Sequence, residues 1–407
     1  MIKTILITLI SMVLLTNVAY CKTPQPVELN LNDYALDDST KIFFNDPYFD
    51  LQDYLIMVNF PKAFANYQND ESLYVLKNLD TKKPVVAILS YGFIPNYDDT
   101  LNHIWVNPNE IPNNLKDDDN NGYTDDYNII NFKTKNYNDT YNISYYVDRD
   151  YLIENYPGYL TQIYMGSATG NQKDYAGLLF DDNIKLMLID ISGDIPSGNT
   201  GITFFEAGLK YILNMKDRGV NIVSVVLALP ETIRYENIKY SLIKELSDRR
   251  IFFVMPSGAY ENERGGFIGK NIDLETAHPC HMKMKYEYDM RIKLDNFICV
   301  GLMDRTNKLI PDSMSNFGEN TVDFITPGKF TLEEPGNTLH SSMFSAAIIA
   351  AAVANAKIMY PEFSNAKLKE LLYSSGDKNI PNSRSKILFD FNKLFLPNGI
   401  GGSNNNI

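Results

Sequence analysis

Short runs of uninterrupted apolar residues recur along this chain, and they constrain its fold more than any other feature. Val85–Leu89 is a five-residue run of this kind, and Lys185–Ile191, Ile222–Leu229, Ile251–Met255 and Phe297–Leu302 repeat the pattern. A strand covered on both faces shows no polar side, so it reads as a continuous apolar run rather than an alternating one. Between these runs, Phe204–Asp217 and Asn237–Arg249 carry apolar residues at helical spacing. Alternating strand and helix points to a parallel sheet with helices on both faces, because a parallel connection must cross the sheet and a helix is the usual crossover. Ser342–Met359 is Ala-rich and almost wholly apolar. A surface helix would keep a polar face, so this stretch reads as a buried central helix. Ser364 is placed to cap a further amphipathic helix ending near Ser375. We find no internal repeat and no mid-chain linker. The expectation is one large α/β domain over residues 44–397, doubly wound around a mostly parallel sheet, and 44% hydrophobic residues are ample for its core.

The ends of the chain read differently. Lys3, the apolar run Ile5–Leu15 and Ala19-Tyr20-Cys21 have the form of a secretory signal peptide over residues 1–21. Cys21 could instead carry a lipid, but the bulky Tyr20 before it argues against that. The segment 22–43 is polar and acidic and is expected to be extended, and the Gly/Asn-rich tail 398–407 is expected to lack order. No later stretch is expected to span a bilayer. The net charge of −13 argues against a nucleic-acid or anionic-membrane partner. With Cys21 at the mature end, Cys280 and Cys299 are an even pair in an oxidising compartment; they can join as a disulfide or stay as two buried thiols. Asn138 and Asn142 begin glycosylation-type sequons, which arise readily in an Asn-rich chain.

Five segments, taken in order, resemble the subtilisin-like serine proteases. Asn45-Asp46-Pro47-Tyr48-Phe49 with Pro61-Lys62-Ala63-Phe64 is similar to the start of the mature catalytic domain. Val85 to Gly92 resembles the strand and turn carrying the family's catalytic aspartate. Ile104-Trp105-Val106-Asn107-Pro108-Asn109-Glu110 and the acidic run after it resemble an insert common in bacterial members. Ser313-Met314-Ser315-Asn316-Phe317-Gly318, followed by Val322-Asp323 and Pro327-Gly328, resembles a further signature. Ser341-Ser342-Met343, entering the Ala-rich helix, resembles the turn that presents the nucleophilic serine. The likeness covers roughly residues 44 to 380, and it implies a subtilisin-like α/β fold. It also implies a prodomain after the signal peptide, for which 22–43 is short.

The resemblance also assigns the catalytic positions, and most of them are substituted. Its chemistry needs a serine nucleophile, a histidine base, an aspartate to orient that base, and an oxyanion donor that is usually an asparagine. The aspartate position holds Ser90. The histidine position falls at Pro157, before Gly158. The oxyanion asparagine position, after Pro256-Ser257-Gly258, holds Ala259. Only Ser342 is retained, and its turn is altered: His340 replaces a glycine, Ser341 a threonine and Ala346 a proline. The four histidines are His103, His278, His281 and His340, so none lies between Ile104 and Ala277. A serine hydroxyl is a poor nucleophile unless a base takes its proton. His340 is too near Ser342 in a tight turn to reach back to the hydroxyl. His103 reads as a surface histidine, and Asp98 and Asp99 as a solvated loop.

The acidic run Asp117-Asp118-Asp119-Asn120-Asn121-Gly122-Tyr123-Thr124-Asp125 has the spacing D-x-D-x-N-G-x-x-D. Side-chain oxygens of Asp117, Asp119 and Asn121, the Tyr123 carbonyl and Asp125 suit Ca2+, with Gly122 at the sharp turn. Position 12 is Asn128 rather than a bidentate glutamate, which predicts a weaker or differently closed site; a solvated acidic loop is the plainer reading. Taken together, these features read as an exported subtilisin-like pseudoprotease that binds a peptide or protein. The alternative is an active serine endopeptidase with a rewired site using Ser342. A third reading is a structural surface module whose cleft plays no part. Fold alone does not decide between them.

Overall fold

The computed structural model describes residues 27–70, 83–132, 155–192, 201–229, 240–262, 266–274, 280, 294–333 and 336–395. The expected signal peptide, both sequons, His278, His281 and the tail 398–407 lie outside these residues. A seven-stranded parallel sheet runs through the middle. Its strands are β1 (Val85–Ser90), β2 (Ile129–Asn131), β3 (Lys185–Asp190), β4 (Ile222–Leu227), β5 (Phe252–Pro256), β8 (Phe297–Leu302) and β9 (Phe324–Thr326). Their order is β2-β3-β1-β4-β5-β8-β9. Two small antiparallel pairs, β6 (Tyr260–Glu261) with β7 (Phe267–Ile268) and β10 (Lys329–Thr331) with β11 (Thr338–His340), lie outside it.

Alternate residues of each strand serve two separate cores. Val86, Ile88, Leu186, Leu188, Val254 and Val300 join one core with helices α1 (Phe60–Asn69), α2 (Pro157–Gly166), α5 (Ser342–Met359) and α6 (Asn365–Ser374). Val85, Ala87, Leu89, Met187, Ile189 and Phe253 join the other with α3 (Gly201–Asp217) and α4 (Tyr240–Asp248). Successive side chains of a strand point to opposite faces, so the continuous apolar runs follow directly. The expected doubly wound architecture is what forms.

Helix α5 is the centre of the first core. From Ser342 to Ala356 every side chain is buried. Its alanines let it lie close to β4, β5 and β8, and Phe344 meets Tyr164 of α2 at 4.9 Å between ring centroids. Burying each large apolar side chain there contributes about 1.5–3 kcal/mol. Among the described residues it is the one helix long and apolar enough to cross a membrane, and 94% of it is buried within the fold.

Residues 27–43, expected to be extended, carry two short helical turns, Leu31–Tyr34 and Asp38–Lys41. Asp37 supplies the reason: its carboxylate accepts the Thr40 N–H at 2.8 Å and starts the turn. Leu29 is buried and its N–H reaches the Asn307 carbonyl at 2.8 Å. Cys280 and Cys299 are joined as a disulfide across 19 residues, and both are fully buried.

Candidate functional site

The carboxyl ends of β1, β4 and β5 meet the amino ends of α2 and α5 in one place. The strand order reverses at β1, with β3 on one side and β4 on the other. In open α/β sheets such a switch point opens a crevice outside the strand ends. Each residue assigned from the resemblance can be located there.

Ser90 is the last residue of β1 and is fully buried. Its hydroxyl donates to the Ala228 carbonyl, just past β4. The chain then turns through Gly92 at φ +68°, where a Cβ would stand 2.2 Å from the Asn155 carbonyl oxygen. Pro157 is the first residue of α2. The turn and the helix are tied together by Gly158 N–H to the Tyr91 carbonyl at 2.9 Å and Tyr159 N–H to the Gly92 carbonyl at 3.0 Å. Proline suits a helix start, since its fixed φ matches the helix and its missing N–H had no intrahelical partner anyway. It carries no acid or base.

Ser342 begins α5, with Ser341 as its cap; the Ser341 hydroxyl accepts the Met343 N–H at 3.2 Å. Ser342 is fully buried, and its hydroxyl oxygen accepts the Gly258 N–H at 3.2 Å. Gly258 has φ +64° and precedes Ala259, which offers no polar side chain where the resemblance places an amide. The Ser-x-Ser-Asn segment holds this turn from behind. Asn316 donates from its amide to the Ser257 carbonyl at 2.9 Å and from its backbone to the Gly258 carbonyl at 2.9 Å. Gly328 explains the Pro-Gly pair, because a Cβ there would lie 2.4 Å from the Ser341 carbonyl oxygen.

A carboxylate that the sequence reading missed lies one strand away. Asp190 ends β3 and is in register with Ser90. It is fully buried and accepts the Gly92 N–H at 3.3 Å, the Ser192 N–H at 2.8 Å and the Ser192 hydroxyl. An aspartate closing an apolar run is the signal that could have found it.

No family model matches the chain, and neither does any curated protein. Among solved structures it resembles the A-subunit of the AB5 toxin from E. coli, with a TM-score of 0.51 at 14% identity, over 80% of this chain and 95% of that one. What the two share is the fold, an α/β sheet with helices on both faces. Also similar are a structure of subtilase cytotoxin assembly (TM-score 0.49, 15% identity, 80% of this chain and 92% of that one) and an epidermin leader peptide processing serine protease from Staphylococcus aureus (0.47, 14%, 82% and 79%).

Two expectations are corrected. His103 is not at the surface: it is 2% exposed, its Nδ1 lies 2.9 Å from the Ile184 carbonyl oxygen and its Nε2 3.5 Å from Asp182. Burial holds its pKa below the usual value, and its contacts are at the amino end of β3, whereas Ser342 lies past the carboxyl ends of the strands. Asp99 is not solvated either. It is buried and accepts from the Asn171 amide at 2.8 Å and the Tyr175 N–H at 3.2 Å, with desolvation raising its pKa. Asp98 does face solvent, paired with Lys173 at 2.5 Å. His340, on β11, is half-buried.

The acidic insert forms a compact loop. Carboxylate oxygens of Asp117, Asp119 and Glu110 lie within 4.8 Å of one another. Glu110 was not among the expected ligands; it comes from outside the D-x-D-x-N-G run. Asn121 is nearby, with its side-chain oxygen accepting the Tyr123 N–H at 2.7 Å and its amide donating to Asp126 at 2.9 Å. Asp125 is turned to other work: its two oxygens accept the Asn114 and Leu115 N–H groups at 3.0 and 2.8 Å.

Proposed function

We propose that this chain is an exported subtilisin-fold pseudoprotease that keeps its cleft as a surface for a peptide or protein and does not hydrolyse it. The observation that carries this reading is Pro157 at the start of α2, tied by Gly158 to the β1 turn. A general base at such a position contributes roughly 10²–10⁴-fold to a rate, and proline cannot act as one. Two further substitutions support the same reading. Ser90 commits its hydroxyl to the Ala228 carbonyl, and Ala259 supplies no oxyanion amide, a donor worth roughly 10²–10³ in kcat. Export is supported by the signal-peptide form of residues 1–21 and agrees with the Cys280–Cys299 disulfide. Retention of the cleft for binding follows the general habit of extended peptides adding to sheet edges.

The test is labelling of the purified chain with a fluorophosphonate serine probe beside a Ser342→Ala control. The expected result is no Ser342-dependent labelling. Stoichiometric labelling that the control abolishes would overturn the proposal in favour of an active endopeptidase using Ser342.

A further inference from the structure

We infer that the groove at the amino ends of β1, β3 and β4 binds a small amphiphilic carboxylic acid, with its apolar tail against Trp105 and its carboxylate between Lys83 and Lys185. Ser342 lies past the other ends of the strands, and the inference does not rest on the pseudoprotease reading. The cavity measures about 1060 Å³, near the upper limit of the range that small-molecule sites occupy.

Strand register brings the two lysines together. Val85 of β1 pairs with Lys185 of β3, and the Lys185 N–H reaches the Pro84 carbonyl at 2.9 Å, so Lys83 and Lys185 stand at the starts of adjacent strands. Lys185 is half-buried, and its ammonium donates to the Asn102 carbonyl, which leaves its other N–H groups to an anion. Among the described residues neither lysine forms an ion pair. Asp182 also lines the groove, but it faces solvent beside His103, 3.5 Å from Nε2. Arg218 is committed elsewhere, donating to the Asp119 and Asn120 carbonyls at 3.0 and 2.6 Å. Desolvation, with the charge of Lys83, lowers the Lys185 pKa, as expected where a second ammonium stands near and no acid is paired. A partly desolvated ammonium of this kind gains from a bound anion through a charge-assisted hydrogen bond.

The walls choose the rest of the ligand. Leu101 and Val106 are 47% and 38% exposed, and Trp105 lies between them in sequence, fixed by its N–H to the Leu186 carbonyl at 2.8 Å. Ile104, Met215 and Val220 line the same groove. A bare ion would leave this apolar surface wet, and a neutral hydrocarbon would leave the lysines without a counter-charge. The charges set the valence. Lys83, Lys185 and Arg218 line the groove against Asp119 and Asp182, so one positive charge is left over in a chain whose net charge is −13. One carboxylate neutralises it.

Trp105 is the single tryptophan of the chain, so its emission reports this groove alone. The experiment is fluorescence titration of the purified chain with sodium octanoate, alongside Lys185→Met and Lys83→Gln. The expected result is a saturable shift of Trp105 emission with octanoate, and none with sodium acetate or 1-octanol at the same concentrations. Lys185→Met keeps the aliphatic stem and should raise the octanoate Kd about tenfold or more, the effect of losing one charge-assisted hydrogen bond. If that variant fails to fold, Lys83→Gln carries the comparison. No emission change with octanoate, an equal response to 1-octanol, or variants that bind as the parent does would each overturn the inference. A response to poly-glutamate with none to octanoate would overturn it in favour of an acidic protein partner.

Discussion

The Ser90 hydroxyl donates to the Ala228 carbonyl, bridging the end of β1 to the residue just past β4. Ser90 is therefore a structural tie between neighbouring strands. Ser90→Ala should cost about 1 kcal/mol, the ordinary worth of one hydrogen bond. Ser90→Asp should cost more, about 1–3 kcal/mol beyond that, because a buried carboxylate would face a carbonyl oxygen. Urea unfolding of the two variants decides this. An aspartate variant as stable as the parent would mean the site still accepts a catalytic carboxylate.

Gly158 reverses a normal helix preference. In an open helix position, alanine is favoured over glycine by about 1 kcal/mol. Here a Cβ would stand 2.7 Å from the Tyr91 carbonyl oxygen and 2.8 Å from the Phe93 ring. Gly158→Ala should therefore destabilise the chain by about 1–3 kcal/mol, since the backbone contact cannot yield as a flexible side chain could. Thermal and urea melts of Gly158→Ala are the measurement, and a gain in stability would show that α2 is not clamped to the β1 turn.

Asp46 gives the fold an unusual pH response. It is buried, accepts N–H groups of Gly170 and Asn171 at 2.9 to 3.1 Å, and its pKa is pushed up to about 6 by desolvation against those bonds. The folded chain then binds a proton more tightly than the unfolded chain, whose value is 3.8. Above about pH 6 the charge is buried at a cost; as pH falls from about 6 towards 4, the folded state gains on the order of 1–3 kcal/mol from this group. Urea unfolding at pH 7 and pH 5 should show a larger gain in the parent than in Asp46→Asn, which keeps the contribution of Asp126, also raised to about 6. Equal pH dependence in the two chains would remove Asp46 as its source.

Much of this architecture was written in local pattern. The runs at Val85, Lys185, Ile222, Ile251 and Phe297 became strands within two residues of their expected limits, because a strand buried on both faces announces itself as a continuous run. Ser342–Met359 and its role as the buried centre were also legible. The short strands β2 and β9, three residues each, were not, since so few residues carry no period. Neither was α2, whose all-round burial and leading Pro157-Gly158 hide its amphipathic face.

By itself the sequence determined which residues form the sheet and which helix lies at its heart, and its resemblance to the subtilisin-like proteases is what leads us to propose Pro157, Ser90 and Ala259 at the positions of base, aspartate and amide. These are matters of residue type and spacing, which local chemistry decides. The tertiary structure alone decided what those residues do instead. It joined Ser90 to Ala228, buried His103 and Asp99, brought Asp190 beside Ser90, and set Glu110 against Asp117 and Asp119. Each of these depends on which distant segments the parallel crossovers bring together, and desolvation acts only once they have met.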